Sequence, residues 1–186
     1  MAVKENIPQN CSLDLETWGI APGCAIRSIG AVMFDPISGE IGNDFYFNID
    51  DDSCIKAGLV KDEYTVKWWN KQSVAARDSL LVNQLPIEEV LLGFVRWFRK
   101  SKGIFVWSQG ANFDEPIIQA AFRACDIEAP WRFWDVRDTR TAYEVARFNQ
   151  FGVRRTGIYH NALDDARHQA RCVQLAYANL YNGRRA

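Results

Sequence analysis

The segment QNCSLDLET, residues 9–17, begins the predicted fold with a strand over residues 9–15. Successive side chains of a strand point to opposite faces, so Asp14 and Glu16 near its end share one face. Two neighbouring carboxylates repel each other unless a cation lies between them, which makes this pair a candidate ligand set for Mg²⁺ or Mn²⁺. Two such acids are more often an ordinary polar strand face, so the pair alone does not decide the function.

The elements around this strand predict an α/β fold, in which helices cover the faces of a mixed sheet. Three antiparallel strands come first, and helices then alternate with strands. No repeat and no long Pro/Gly/Ser linker divides the chain, so we expect residues 1–186 to form one domain. The further predicted elements are strands over 24–34 and 44–49, a helix over 86–101, a strand over 104–107, a helix over 114–125, a strand near 133–136, a helix from 138 and a last helix over 162–181.

The composition fits an ordinary soluble domain, with 48% apolar residues and a net charge of -1. That balance argues against wholesale coating of nucleic acid. The charge is nevertheless uneven, because residues 1–52 carry two bases and nine acids whereas residues 123–186 carry eleven arginines and seven acids. This asymmetry suits a site that binds both metal and phosphate, although a solvated surface of mixed sign explains it equally well.

The sequence shows no sign of export or of a membrane partner. No apolar run approaches the roughly 18 residues of a membrane-spanning helix, and the first ten residues lack the cationic and apolar segments of a signal peptide. The five cysteines are odd in number and contain no C-x-x-C pair. We therefore expect a cytoplasmic protein with reduced cysteines.

Further polar residues stand at the starts of two predicted helices. Asp114 lies where an acid commonly serves as an N-cap. Asn161 and Asp164 have a similar structural explanation at the last helix, as its N-cap and as an acid of its first turn. His160 and Asp165 have no such explanation, which makes them candidates for function.

Four acids and a histidine therefore lie in a fixed order, and in that order the sequence resembles the histidine branch (DEDDh) of the DEDD superfamily of 3′-to-5′ exonucleases. The matching motifs are Asp14-Leu15-Glu16-Thr17, Asn112-Phe113-Asp114 and His160 through Asp165, which together span nearly the whole chain. Within that branch, three runs look like the small bacterial and phage exoribonuclease-like group that includes proteins labelled exonuclease VIII. These runs are Arg27 through Val32, Trp68-Trp69 with Gln72-Ser73, and Arg137 through Thr141.

The resemblance implies a ribonuclease-H-like fold with five strands, the second of them antiparallel, and a site for two divalent cations, Mg²⁺ or Mn²⁺. It implies that Asp14, Glu16 and Asp165 bind the metals directly and that Asp114 binds through water. His160 would take a proton from the attacking water. Relatives in the narrower group suggest a homodimer. Elementary chemistry supports these roles, since two cations about 3.5 to 4 Å apart can activate water and neutralise a leaving oxygen, and a histidine accepts protons near neutral pH.

Candidate substrate-binding residues flank these motifs. Thr17, Trp18 and Gly19 follow the first acid pair, and the indole of Trp18 is a candidate either to stack on the terminal base or to close the pocket wall. Arg154 and Arg155 precede His160 and are candidates for phosphate contacts. A second histidine, His168, lies within one turn of the last acids, and we expect it to have no catalytic role.

The predicted function is removal of nucleotides from the 3′ end of single-stranded nucleic acid. The sequence does not choose RNA over DNA, because recognition of the 2′-hydroxyl depends on pocket geometry. Two alternatives stay open. One is an endonuclease or ribonuclease H on the same fold, and the other is a catalytically idle nucleic-acid-binding module.

Overall fold

A computed structural model of the chain describes residues 8–182, so both ends of the predicted domain, 1–7 and 183–186, lie outside the described residues. Within residues 8–182, five strands form one mixed sheet in the order β3-β2-β1-β4-β5. The strands are β1 (Asn10–Thr17), β2 (Ile26–Phe34), β3 (Ile41–Asn48), β4 (Phe105–Ser108) and β5 (Val136–Asp138). β2 runs antiparallel to β1 and β3, whereas β4 and β5 continue the sheet in parallel with β1. The predicted α/β fold with an antiparallel second strand is confirmed.

The longer helices lie where the apolar spacing predicts them, within one or two residues. Residues 51–79 form three short helices, whose first-turn amides donate capping hydrogen bonds to the side chains of Asp50, Asp62 and Ser73. The helices are α1 (Asp51–Lys56), α2 (Glu63–Trp69), α3 (Val74–Ser79), α4 (Ile87–Lys100), α5 (Asp114–Ala124), α6 (Thr139–Val145) and α7 (Ala162–Asn182). Among the described residues, no helix is both long and apolar enough to cross a membrane.

The strand predicted near residues 133–136 begins later than expected. Residues Phe133–Asp135 form a single 3-10 turn, in which the Asp135 amide donates to the Arg132 carbonyl. The Arg132 Nε also donates to the Asp135 carboxylate at 2.8 Å, which holds the turn closed. Pairing with β4 starts only at Val136, so β5 runs over Val136–Asp138 and leads directly into α6.

The sheet is packed on both faces, and the two faces differ in what β1 presents to them. Leu13 and Leu15 point into an apolar layer formed with α4 and α5. Asp14 and Glu16 alternate with them and therefore face the side covered by α7. Gly30 on β2 pairs with Asp14, and a Cβ at Gly30 would lie 2.1 Å from the carbonyl carbon of Ala162. The absence of a side chain there lets the first turn of α7 lie directly on the sheet, next to the acids of β1.

Candidate active site

The four predicted acids and His160 line one cleft of about 950 Å³. Asp14 and Glu16 come from β1, Asp114 is the first residue of α5, and Asp165 lies in the first turn of α7. We call Asp14, Glu16, Asp114 and Asp165 the acid cluster. Three elements that are far apart in the chain thus bring these carboxylates to the same place.

Asp114 reaches the cleft in a way that its position as an expected N-cap does not predict. Phe113 is the N-cap of α5, and its side chain makes no capping hydrogen bond. The Asp114 carboxylate turns instead towards β1 and accepts a hydrogen bond from the Leu15 amide at 3.1 Å. Because Leu15 lies between Asp14 and Glu16, this bond fixes Asp114 beside both acids of the strand.

Glu16, Asp114 and Asp165 are buried and Asp14 is half-buried, and the carboxylates of the acid cluster lie close enough to repel one another. Burial raises the pKa of Glu16 to about 8, with a further contribution from Asp114. Burial also raises the pKa of Asp114 to about 7, and the Leu15 amide opposes this rise. The pKa of Asp14 is raised by burial and then by the charges of Asp114 and Glu16. Like charges held this close favour protonation or the binding of a cation.

Three side chains of the cleft form a candidate metal centre. Glu16, His160 and Asp165 each offer a ligand atom, and these atoms all lie within 4.8 Å of one another. Carboxylate oxygens suit Mg²⁺ and Mn²⁺, and an imidazole nitrogen is accepted by Mn²⁺ and Zn²⁺. The geometry therefore allows His160 to act as a metal ligand as well as in the predicted role of proton acceptor.

His160 is held in an unusual conformation. Its backbone φ is 61°, in the left-handed region that non-glycine residues seldom adopt. Its ring packs edge-on against Trp68 and Trp69, with centroid distances of 5.0 and 6.0 Å. Burial lowers the pKa of His160, and so does the charge of Arg155. The imidazole is thus neutral at neutral pH, as both a proton acceptor and a metal ligand must be.

The turn before α7 is secured on both sides of His160. The Asn161 side chain accepts a hydrogen bond from the Asp164 amide at 3.2 Å, which confirms it as a helix cap. The Asp164 carboxylate in turn accepts a hydrogen bond from the Ile158 amide at 2.8 Å. His168, which we expected to be uninvolved, is half-buried on α7 and contacts the Cys172 sulfur at 3.5 Å.

Two supporting residues were missed from the sequence. Gln169 donates to Asp14 Oδ1 at 2.6 Å. It lies four residues after Asp165, and this helical spacing places both on one face of α7 and could have indicated it. Asp138 accepts hydrogen bonds from the Ala111 amide at 2.7 Å and from the Thr141 amide at 2.9 Å. It thereby ties the segment before Asp114 to the start of α6.

Of the five candidate substrate-binding residues, the structure brings three to the cleft. Thr17, Gly19 and Arg155 are among the described residues that line it, and Trp18 and Arg154 are not. Arg154 is exposed at the protein surface. Arg155 instead turns inward, pairs with the Asp165 carboxylate and covers the ring of Tyr159 at 4.4 Å.

Trp18 does not itself line the cleft, and its ring packs edge-on against that of Trp69, with a centroid distance of 6.5 Å. Its Nε1 donates to Asp51 at 2.6 Å, and its ring lies 3.9 Å from the Arg27 guanidinium. The strand register shifts between Glu16 and Thr17, so the alternation that places Glu16 in the cleft does not continue to residue 18. Trp68 and Trp69 line the cleft in its place, and we call this pair the tryptophan wall. The ring of Trp68 is partly open to solvent, with 42% of the residue exposed.

The sheet has the ribonuclease-H-like fold, and the acid cluster and His160 come together in it from the order of the DEDDh motifs. The chain belongs to the family described as the 3′-5′ exoribonuclease Rv2179c-like domain, which matches residues 9–177. It is thus a member of an exonuclease family that acts on nucleic acids, and the resemblance seen in the motifs is confirmed. A curated relative, an exodeoxyribonuclease of Enterobacteria phage T4, is 25% identical over 72% of this chain and 70% of its own length.

Solved structures with the same fold include the nuclease domain of 3′hExo, a DEDDh family member bound to rAMP. It has a TM-score of 0.59 at 12% identity and covers 95% of each chain. The Mg²⁺- and Mn²⁺-bound form of S. pombe Pop2p has a TM-score of 0.55 at 13% identity, over 94% of this chain and 85% of that one. A zinc-bound complex of E. coli ExoI with single-stranded DNA has a TM-score of 0.56 at 12% identity, over 94% of this chain and 42% of that one. Related folds thus bind divalent metal ions.

Proposed function

We propose that the protein is a metal-dependent 3′-to-5′ exonuclease that removes nucleotides from the 3′ end of single-stranded RNA or DNA. The observation that carries this proposal is the convergence of the acid cluster and His160 in one cleft. Membership of a family described as 3′-5′ exoribonucleases supports the polarity.

The acid cluster fits a pair of Mg²⁺ or Mn²⁺ ions. Asp14, Glu16 and Asp165 would bind them directly, and Asp114, anchored to the Leu15 amide, would bind through water. Burial and mutual repulsion raise the pKa of Asp14, Glu16 and Asp114, which is the electrostatic state that bound cations relieve. When bound, two cations supply a hydroxide at neutral pH and neutralise the leaving oxygen.

The remaining steps belong to side chains of this chain. His160, neutral at working pH, accepts the proton of the attacking water. The exposed face of Trp68 is available to the terminal base, which is one of the two roles considered for Trp18. Thr17 and Gly19 line the cleft, where the Thr17 hydroxyl donates to the Gly19 carbonyl at 2.7 Å, and are available to the terminal nucleotide. Arg155 lines the cleft and is the arginine available to a substrate phosphate, whereas Arg154, the other candidate, is exposed and does not line it.

The setting of the activity is part of the proposal. All five cysteines are free, and four of them are buried, which supports work in the reducing cytoplasm. The narrower group of relatives suggests a homodimer, and this prediction can be tested by measuring the mass of the protein in solution.

The test offers matched single-stranded RNA and DNA oligonucleotides, labelled at the 5′ end, with Mg²⁺ or Mn²⁺. We expect a ladder that shortens from the 3′ end, and no reaction when the 3′ end is blocked or the strand is circular. Cleavage of the circle by the pure protein would favour the endonuclease alternative. Binding of the strand without cleavage under every metal condition would favour the idle module.

A further inference from the structure

We propose that Arg155 is a built-in cation that fills part of the acid cluster in the metal-free protein, so that a divalent metal must displace it from Asp165. The inference rests on the proposed function, because it takes the acid cluster to be a cation site. It adds that this chain sets its own metal affinity by a competing side chain.

The first observation is the position of the guanidinium. Arg155 pairs directly with Asp165, whose carboxylate is almost fully buried, and it lines the same cleft as Asp14 and Glu16. Burial and neighbouring acids raise the pKa values of Asp14 and Glu16, and the charge of Arg155 opposes that rise. The guanidinium therefore compensates several acids of the cluster at once.

The second observation is that Asp165 has two uses that exclude each other. Its carboxylate is one of the three groups of the candidate metal centre, with Glu16 and His160. A guanidinium in contact with that carboxylate occupies space that a metal ion would need, and two positive charges side by side would repel each other. Metal binding at Asp165 must therefore break the contact with Arg155.

The third observation is that the contact with Asp165 leaves Arg155 incompletely bonded. Its Nε is buried and has no hydrogen-bond partner among the described residues. Buried donors are normally satisfied, so this arrangement is costly to maintain and is easier to exchange than a fully bonded ion pair. Two other arginines act on the acids without an ion pair to Asp165: Arg27, which lies over the rings of Trp18 and Trp69, lowers the pKa of Glu16, and Arg140 lowers that of Asp114.

The fourth observation is that the segment around Arg155 allows it to move outward. Residues 154 and 156–159 are exposed, and the ring under the Arg155 guanidinium, Tyr159, is 62% exposed. A guanidinium displaced from Asp165 would remain at the rim of the cleft. There it can contact a substrate phosphate, so that metal binding would also make Arg155 available for substrate.

The test measures Mn²⁺ binding by calorimetry without nucleic acid, in the parent protein and in two matched variants. Arg155→Ala removes the competing charge, whereas Arg154→Ala removes an equal charge from the adjacent exposed position. We expect Arg155→Ala to bind Mn²⁺ roughly tenfold more tightly or better, because a nearby positive charge is gone, and Arg154→Ala to match the parent. Arg155→Gln, which keeps most of the size of the side chain, should behave like Arg155→Ala.

A second readout is the melting temperature in a chelator, which also reports whether each variant folds. Without Arg155 the repulsion among the acids is less well compensated, so Arg155→Ala should melt below the parent in chelator and gain more from Mn²⁺ than the parent does. Mn²⁺ affinity that is unchanged or weaker in both Arg155 variants, with the parent binding Mn²⁺, would overturn the inference and leave the proposed function standing. Absence of Mn²⁺ binding in the parent and in every variant would instead overturn the acid cluster as a cation site, and the inference with it.

Discussion

The acid cluster and the tryptophan wall line the same cleft but are held by different kinds of structure. The acids stand at the ends of long, well-packed elements and repel one another. The wall comes from α2, a helix of seven residues, and is aromatic. Trp69 is buried and donates to the Thr17 carbonyl at 2.8 Å, whereas Trp68 is partly exposed. The difference suggests a division of labour, in which the acids carry the chemistry and the wall carries contact with the substrate.

The largest effect should come from the acid cluster. Asp14→Asn, Glu16→Gln, Asp114→Asn or Asp165→Asn should each lower the rate of hydrolysis by at least about 10⁴-fold, since each removes charge from a shared cation site. The double variant Asp14→Asn with Asp165→Asn should be little worse than either single variant.

The control for these variants is Asp52→Asn, which removes an exposed acid outside the cleft. We expect its rate to equal that of the parent in single-turnover assays. If the loss of activity in the double variant were the product of the two single losses, the four acids would act independently. The acid cluster would then not be one catalytic unit.

His160 lies between the two regions, because it joins the acids in the candidate metal centre and packs on both tryptophans. His160→Ala should lower the turnover rate by roughly 10² to 10⁴ if the imidazole acts as proton acceptor. In that case Mn²⁺ affinity, measured by calorimetry, should stay within about twofold of the parent. A loss of roughly tenfold or more in Mn²⁺ affinity would make His160 a metal ligand.

A substitution in the tryptophan wall should weaken substrate binding and leave the rate of the chemical step nearly unchanged. Trp68→Ala should raise KM by roughly tenfold while kcat changes little, because stacking on a base is worth about 1–3 kcal/mol. Trp134→Ala is the matched control, since Trp134 is similarly exposed but lies on the 3-10 turn before β5. An unchanged KM in Trp68→Ala, or an equal rise in Trp134→Ala, would remove the wall from substrate binding.

The same difference explains how much of the site the sequence could predict. The alternation of β1 places Asp14 and Glu16 on one face, and Asp165 lies at the start of a long periodic helix. None of these patterns decides the function alone, and it is the order of the four acids and His160 along the chain that indicates a shared site. Five strands with the second antiparallel were expected from the family resemblance, and the structure confirms this, whereas the spatial order of the strands could not be predicted from the sequence patterns.

No sequence pattern indicated that Trp68 and Trp69 line the cleft. The helices between residues 51 and 79 have six or seven residues each, too few turns for an apolar period to stand out. Trp18 was expected in the cleft because it follows Glu16, and the register shift at Thr17 turns it towards Arg27 and Asp51 instead. The inward turn of Arg155 and the outward position of Arg154 depend on loop conformation, which side-chain spacing does not encode.

The smallest expected effect is thermodynamic, and it separates a crowded acid cluster from acids that merely share a surface. In chelator, Glu16 with a pKa of about 8 and Asp114 with a pKa of about 7 hold protons in the folded state that they release on unfolding, where acids titrate near about 4. The folded state therefore binds more protons than the unfolded state, so its stability should fall as pH rises towards 8. His160, whose pKa is lowered, has the opposite effect on stability near its own pKa, so the loss of stability with rising pH should be most visible between about pH 7 and 8.

Saturating Mn²⁺ should remove this loss of stability, because it binds the deprotonated acids, and should raise the melting temperature by roughly 5 to 10 °C at 100 times its dissociation constant. The rise should exceed that from NaCl of equal ionic strength, largely vanish in Asp14→Asn and persist in Trp68→Ala. A parent protein whose melting temperature ignores both pH and Mn²⁺ would show that the acids do not share a site, and the contrast between the acid cluster and the wall would lose its electrostatic basis.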